Sequence, residues 1–79
     1  MTLRMYGTAW CGDCHRAKAW LDATGIAYEY LDIESDDALR DRAVALNDGF
    51  QRVPLLEFDD GSVLVEPTNE QLAAKLKIE

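Results

Sequence analysis

The chain lacks a long apolar run, and its N-terminus lacks the hydrophobic segment of an export signal. No stretch approaches the roughly 20 apolar residues that cross a bilayer. The first residues, Met1–Arg4, carry no extended apolar core of the kind that opens a secretory signal. We therefore expect a cytoplasmic protein with no membrane partner.

Basic residues are also scarce. Lysine and arginine number 8 against 15 acidic residues, which gives a net charge of −7. Nucleic acids and anionic membranes bind through phosphate groups, which an acidic surface repels. This composition argues against nucleic acid as a partner.

Metal-ligating residues are few as well. The chain has two cysteines, Cys11 and Cys14, and one histidine, His15. A structural zinc site needs four ligands, and these three neighbours fall short of that number. We expect no bound metal.

Length and composition predict one small globular domain over residues 1–79, with 48% hydrophobic and 29% charged residues. Hydrophobic periodicity and turn residues predict the element order β-α-β-α-β-β-α. Gly25 is expected to end the first helix, and Asp59-Asp60-Gly61 predicts a hairpin turn. The strands are expected at 3–6, 26–33, 54–58 and 62–65, and the helices at 14–24, 35–46 and 68–76.

The order of elements fixes how the strands pair. The first two strands are joined through a helix, so we expect them to be parallel. The closing hairpin is antiparallel by construction. The sequence thus predicts an α/β fold in which three helices flank a mixed four-stranded sheet.

The two cysteines stand at the junction between the first strand and the first helix, in the segment Trp10-Cys11-Gly12-Asp13-Cys14. A helix N-terminus stabilises a thiolate, which is the form of cysteine that attacks a disulfide. The second sulfur is close enough to displace a mixed disulfide formed by the first. A bridge closing so short a loop removes little entropy from the unfolded chain. The pair therefore indicates redox chemistry of the thioredoxin-like kind rather than a structural staple.

Three segments make the resemblance specific: Trp10-Cys11-x-x-Cys14, Arg52-Val53-Pro54 and Asp59-Asp60-Gly61-Ser62. With them the chain resembles the glutaredoxin family, especially short bacterial glutaredoxins and mycoredoxins. The resemblance itself covers nearly the full length of the chain. The resemblance implies a thioredoxin-like fold and a dithiol thiol–disulfide oxidoreductase. In it Cys11 would be the exposed nucleophile and Cys14 the resolving thiol, in agreement with their positions at the helix start. No cofactor would be bound, and glutathione, mycothiol or a similar small thiol would be the co-substrate.

The resemblance also implies where substrates bind. The Val53–Pro54 peptide bond would be cis and would face Cys11, with the backbone of Val53 pairing with a substrate strand. Trp10, predicted to be a partly exposed packing residue, and Gly12 would border the docking surface. We expect disulfide-containing proteins as substrates and a monomeric enzyme.

Asp13 and His15 each have two possible roles. Asp13 either balances the dipole of the helix or repels an anionic thiol such as glutathione, with Arg16 and Lys18 offsetting its charge. His15 is predicted to be a surface residue, and a role in proton transfer is the second reading.

The site for the small thiol departs from the family pattern. Glutaredoxins commonly carry Gly-Gly and a following Asp after the fourth strand, where this chain has Val65-Glu66-Pro67-Thr68-Asn69. Thr68 and Asn69 begin a helix and could bind a carboxylate, and Arg52 could pair with one. Glu66 adds negative charge there, and Pro67 resembles the mycoredoxin pattern.

Three alternatives stay open. The first is a thioredoxin-like electron donor recharged by a flavoenzyme reductase, for example a donor to ribonucleotide reductase. Thioredoxins carry Pro between the cysteines and a buried Asp in the preceding strand, whereas this chain has Asp13 and Met5. The others are a dimer that shares an iron–sulfur cluster through Cys11, and an interaction domain whose cysteines are incidental.

Overall fold

The computed structural model describes residues 3–77 and has the predicted order of elements. It contains four strands and three helices: β1 (Arg4–Gly7), α1 (Gly12–Thr24), β2 (Glu29–Asp32), α2 (Asp37–Leu46), β3 (Leu55–Glu57), β4 (Val63–Val65) and α3 (Asn69–Leu76). The prediction of a single domain over 1–79 includes residues 1–2 and 78–79, which lie outside the described part.

The strands form one mixed sheet in the order β2-β1-β3-β4. Strand β1 pairs in parallel with β2 and antiparallel with β3, and β3 pairs antiparallel with β4. The predicted parallel crossover, the antiparallel hairpin and the α/β class are all confirmed. Met5 occupies the middle of the sheet, between Tyr30 on β2 and Leu56 on β3.

The sheet separates two apolar clusters, because successive side chains of a strand point to opposite faces. Met5 and Leu56 belong to the cluster that contains both cysteines, together with Leu21 of α1 and Leu72 of α3. Tyr6 and Leu55, the neighbours of Met5 and Leu56 along their strands, belong instead to a second cluster. That cluster contains Ile33, which follows β2, and Ala43 of α2. Helices α1 and α3 therefore cover one face, and α2 covers the other.

Some element bounds differ from the prediction for local reasons. Helix α1 begins at Gly12 instead of residue 14, because Cys11 is its N-cap. Strand β2 begins at Glu29 instead of residue 26. Gly25 adopts the predicted left-handed conformation, and the next N–H, of Ile26, bonds back to the carbonyl of Leu21. The residues after Gly25 are thus used to close the helix before the strand can start.

Glu57 joins three elements at the face covered by α2. Its carboxylate accepts a hydrogen bond of 2.9 Å from Tyr6 on β1 and pairs at 2.9 Å with Arg42 on α2. Only 12% of the Glu57 side chain is exposed. Burial alone raises the pKa of Glu57, but the hydrogen bonds from Tyr6 and Arg42 and the charges of Arg42 and Arg4 bring it below its ordinary value.

We expect Glu57→Gln to destabilise the protein by about 1–2 kcal/mol at neutral pH, because a charged hydrogen-bonded group is lost. A carboxyl with a lowered folded-state pKa stabilises the fold above its unfolded pKa. That contribution disappears as the pH falls through 4.5 toward the folded value. Urea unfolding at neutral pH and near pH 3 should therefore show a smaller difference from the parent at acid pH.

The matched control for this substitution is Glu29→Gln, since Glu29 is an exposed carboxylate that pairs with Arg4 at 3.6 Å. Exposed pairs contribute little, so this variant should match the parent at both pH values. An equal loss for Glu57→Gln at both pH values would show that its charge does not matter.

Candidate active site around Cys11 and Cys14

Cys11 is the N-cap of α1 and holds its sulfur against the first turn of the helix. Its backbone is extended, with φ −86° and ψ 114°, and its Sγ accepts the backbone N–H of Cys14 at 3.2 Å. Unpaired N–H groups and the positive end of the helix dipole also lie at this end of α1. A hydrogen bond to the sulfur and this electrostatic field both stabilise negative charge on Cys11.

Cys14 lies one turn inside the helix and is 1% exposed. Burial is the main cause that raises the pKa of Cys14 to about 12, and the contact with Cys11 adds to it. The backbone N–H of Thr8 bonds to Cys14 and acts in the opposite direction. Cys14 is therefore a thiol at neutral pH.

Cys11 is less exposed to solvent than the family resemblance implied. Cys11 is 9% exposed, which is more than Cys14 but still largely covered. The loop before β3 provides the cover, because the carbonyl of Val53 lies 3.8 Å from Cys11 Sγ and accepts its S–H. A substrate disulfide has to reach the sulfur beside this loop.

The loop carries the predicted cis peptide bond between Val53 and Pro54. Pro54 is buried and Val53 is half-buried. The carbonyl of Pro54 accepts the N–H of Glu66 at 2.8 Å, which ties the loop to the chain after β4. Arg52 is exposed and has no hydrogen-bond or ion-pair partner within residues 3–77. The structure thus places Arg52, Val53 and Pro54 on the segment that faces Cys11.

Trp10 differs from its prediction as a partly exposed packing residue, because 72% of it is exposed. Phe50, which precedes the cis-proline loop, is 63% exposed and was not singled out from the sequence. A large apolar side chain beside Gly49 in a loop gives no sequence signal that separates it from a core residue. Gly12 is exposed, and a Cβ added there would meet nothing within 4 Å.

The charged residues of the first turns of α1 have separate partners. Asp13 is exposed and lies 3.9 Å from Arg16, so this arginine offsets part of its charge as predicted. Lys18 instead lies over the ring of Tyr30, with Nζ 4.1 Å from the ring centroid. His15 is on the surface, and its Nε2 lies 2.6 Å from the carbonyl of Ala9.

Thr68 and Asn69, the predicted binders of a carboxylate, have internal partners. Thr68 and Gln71 form a capping box, in which each side chain accepts the backbone N–H of the other residue, at 2.8 and 3.1 Å. Asn69 Oδ1 accepts a hydrogen bond from Arg16, which also donates to the carbonyl of Pro67 at 2.7 Å. Arg16 therefore connects α1 with the start of α3, a contact between residues far apart in the chain that the sequence did not indicate.

The structure contains no candidate metal site within residues 3–77, that is, no cluster of three or more His, Cys, Asp or Glu residues suited to an ion. Over the same residues, every helix is too short or too polar to cross a bilayer.

A Cys-x-x-Cys pair at the start of a helix, opposite a cis-proline loop in a thioredoxin-like fold, defines the class of thiol–disulfide oxidoreductases. The chain belongs to the glutaredoxin family, whose model matches residues 3–63. Members of this family act on disulfides together with low-molecular-weight thiols.

Individual relatives confirm the resemblance to short bacterial members. The protein named "Putative glutaredoxin Rv3198A" of Mycobacterium tuberculosis is 42% identical over 94% of this chain and 88% of that protein. Mycoredoxin 1 of Corynebacterium glutamicum is 29% identical over 92% and 90%. The crystal structure of a variant of the thioredoxin-like protein BC3987 is 30% identical, covers 98% of this chain and 96% of that chain, and has a TM-score of 0.87. Glutaredoxin of Archaeoglobus fulgidus shares the fold, with a TM-score of 0.82 at 20% identity over 95% and 85%.

Proposed function

We propose that the protein is a dithiol oxidoreductase that reduces protein disulfides, or mixed disulfides with a small thiol, with Cys11 attacking and Cys14 resolving. One observation carries this assignment of roles. Cys11 Sγ accepts the N–H of Cys14 at the N-terminus of α1, while Cys14 is buried with its pKa raised to about 12. The field at the helix end supports charge on the outer sulfur, and burial opposes it on the inner one.

The reaction proceeds in two exchanges. The Cys11 thiolate attacks one sulfur of the substrate disulfide, which forms a mixed disulfide and releases the first substrate thiolate, which then takes a proton. Cys14 then loses its proton and attacks Cys11 Sγ. The Cys11–Cys14 bond forms, and the second substrate thiolate leaves. The substrate gains two electrons, and the protein becomes the oxidised partner.

The surface around Cys11 supports docking of an extended protein segment. The half-buried Val53 presents its backbone beside the sulfur, as a strand-like partner for a substrate. Trp10 and Phe50 supply exposed aromatic surface, and Arg52 supplies a charge with no internal partner within residues 3–77. Aromatic residues and arginine are the side chains that contribute most to protein interfaces.

A low-molecular-weight thiol is the proposed source of electrons. The side-chain oxygens of Thr68 and Asn69 are already paired, so a carboxylate of the thiol would bind backbone N–H groups at the start of α3 and the free Arg52. Glu66 and Asp13 are both exposed and acidic, which disfavours a strongly anionic thiol such as glutathione.

A thioredoxin-like donor recharged by a flavoenzyme is the other electron route. Met5 is fully buried in the middle of β1, where thioredoxins carry an aspartate, and so offers no carboxylate there. This observation favours the small thiol.

The comparison of electron donors tests the proposal. The oxidised protein is mixed separately with glutathione, mycothiol, bacillithiol, or thioredoxin reductase with NADPH. Reduction is followed by quenching with an alkylating reagent and mass spectrometry. We expect at least one small thiol to reduce Cys11–Cys14 on the order of tenfold faster than the reductase does, because thiolate attack needs no docked protein. Reduction by the reductase alone would instead support the thioredoxin-like role.

A further inference from the structure

Tyr30 and Cys14 both lie close to Gly7, the last residue of β1. A Cβ built on Gly7 would lie 3.0 Å from Cys14 Sγ, 3.1 Å from Tyr30 Cε1 and 3.3 Å from the Tyr30 hydroxyl oxygen. The hydroxyl and the sulfur therefore border the same small space. Both atoms lie within 3.3 Å of the position of this added Cβ.

The neighbouring elements hold Tyr30 in this place. It lies on β2 opposite Met5 and packs, half-buried, against the apolar cluster that contains Cys11 and Cys14. Lys18 lies one helical turn after Cys14, on the same side of α1, and places its ammonium 4.1 Å from the Tyr30 ring centroid. The aromatic ring, the cation and the inner sulfur are thus neighbours along one face of α1.

The hydroxyl of Tyr30 differs from those of the other two tyrosines, which donate hydrogen bonds to carboxylates. Tyr6 donates to Glu57 and Tyr28 donates to Asp22, each at 2.9 Å. Tyr30 has no hydrogen-bond partner for its hydroxyl within residues 3–77. Burial, followed by the nearby negative groups, raises the pKa of Tyr30, so its O–H is retained at neutral and moderately alkaline pH.

The resolving step needs such a donor. Cys14 has to attack as a thiolate, yet it is 1% exposed and lies beside an apolar strand. A buried thiolate without hydrogen bonds is costly. Among the named causes of the shift in the pKa of Cys14, the hydrogen bond from the Thr8 backbone is the one that favours the thiolate. A hydrogen bond to a thiolate is stronger than a hydrogen bond to a neutral thiol.

We propose that the Tyr30 hydroxyl donates a hydrogen bond to Cys14 Sγ as this sulfur becomes a thiolate, with Lys18 adding positive charge across the ring. Tyr30 would thereby speed the step in which Cys14 displaces the substrate thiol from Cys11. The inference rests on the proposed function. The Cys14–Cys11 bond forms, the Cys11–substrate bond breaks, and the departing thiolate takes up through solvent the proton that Cys14 gave up.

A reaction with a chromogenic aromatic disulfide, dithiobis(nitrobenzoate), separates the two steps. With excess reagent in a stopped-flow instrument, attack by Cys11 gives a phase whose rate rises with reagent concentration. Resolution by Cys14 gives a second phase whose rate does not depend on the reagent concentration. We expect Tyr30→Phe to slow the second phase about tenfold at neutral pH, to move its pH midpoint upward, and to leave the first phase within about twofold.

The pH profile of the second phase involves the titratable and charged groups that act on Tyr30 or Cys14. These are the two cysteines, Asp13 and Lys18 on α1, and two acidic residues at the end of β2 and after it, Asp32 and Glu34. Lys18→Met should slow the second phase about threefold, and Lys18→Arg should restore it, because a cation over the ring is retained.

Tyr28→Phe is the matched control. It also removes a hydroxyl from a tyrosine beside the same cluster, but that hydroxyl bonds to Asp22 and not near a cysteine. Both phases should be unchanged. A Tyr30→Phe protein with a parental second phase, or one in which both phases fall together, would overturn the inference. A parent without any Cys11 phase would overturn the proposed function and the inference with it.

Discussion

Cys11→Ser is expected to lose on the order of a thousandfold or more of the disulfide-reducing activity. A serine hydroxyl remains protonated even at a helix N-terminus, so the attacking thiolate disappears. The buried Cys14 does not replace it, because its pKa of about 12 keeps it a thiol. Turnover of a protein disulfide with a small thiol as reductant measures the loss, and circular dichroism checks that the fold is kept.

Cys14→Ser is the informative partner of this variant. Its Cys11 still accepts a backbone N–H at residue 14, so the first exchange should proceed. The second exchange cannot occur, and the protein should accumulate as a mixed disulfide that mass spectrometry locates at Cys11. Activity of Cys11→Ser within tenfold of the parent, or trapping of substrate in that variant at Cys14, would reverse the two roles.

The cysteine pair was readable from the sequence because its signals are local. The strand before Cys11, the helical periodicity after Cys14 and the stop at Gly25 all fall within one continuous segment, residues 3–25. These signals predicted α1 and the parallel pairing of β1 with β2. The opposing loop with the cis bond at Val53–Pro54 came from the family resemblance, which carries information that spacing does not.

Long-range contacts were not readable in the same way. Arg16 donates a hydrogen bond to Asn69, which is 53 residues away in the sequence. No local sequence pattern predicts such a partner. The cover of Cys11 by Val53 depends on how a loop 42 residues away is seated. The approach of both Tyr30 and Cys14 to Gly7 depends on β2 lying beside β1 and on Gly7 having no side chain. These contacts arise from tertiary packing. The sequence therefore predicted which residues belong to the site, but not how they contact one another.

Gly7 shows how strongly the site depends on packing. Gly7 is the last residue of β1. Its backbone lies outside the left-handed region, so its importance comes from space and not from conformation. A side chain there would enter the gap between Cys14 Sγ and the Tyr30 ring, which are 3.0 and 3.1 Å from an added Cβ. Contacts that short require the side chains of Cys14 and Tyr30 to give way by a few tenths of an ångström.

We expect Gly7→Val to destabilise the fold by about 3 kcal/mol, because three carbon atoms are forced into a filled region. A domain of this size has only about 4–12 kcal/mol of stability in total, so urea unfolding will show the change clearly. Gly12→Val is the control, since an added Cβ there meets nothing within 4 Å, and its stability should stay near that of the parent. If Gly7→Val were as stable as the parent, Cys14 and Tyr30 would be able to separate at little cost. The hydrogen bond proposed between them would then lack the rigid setting that makes it effective.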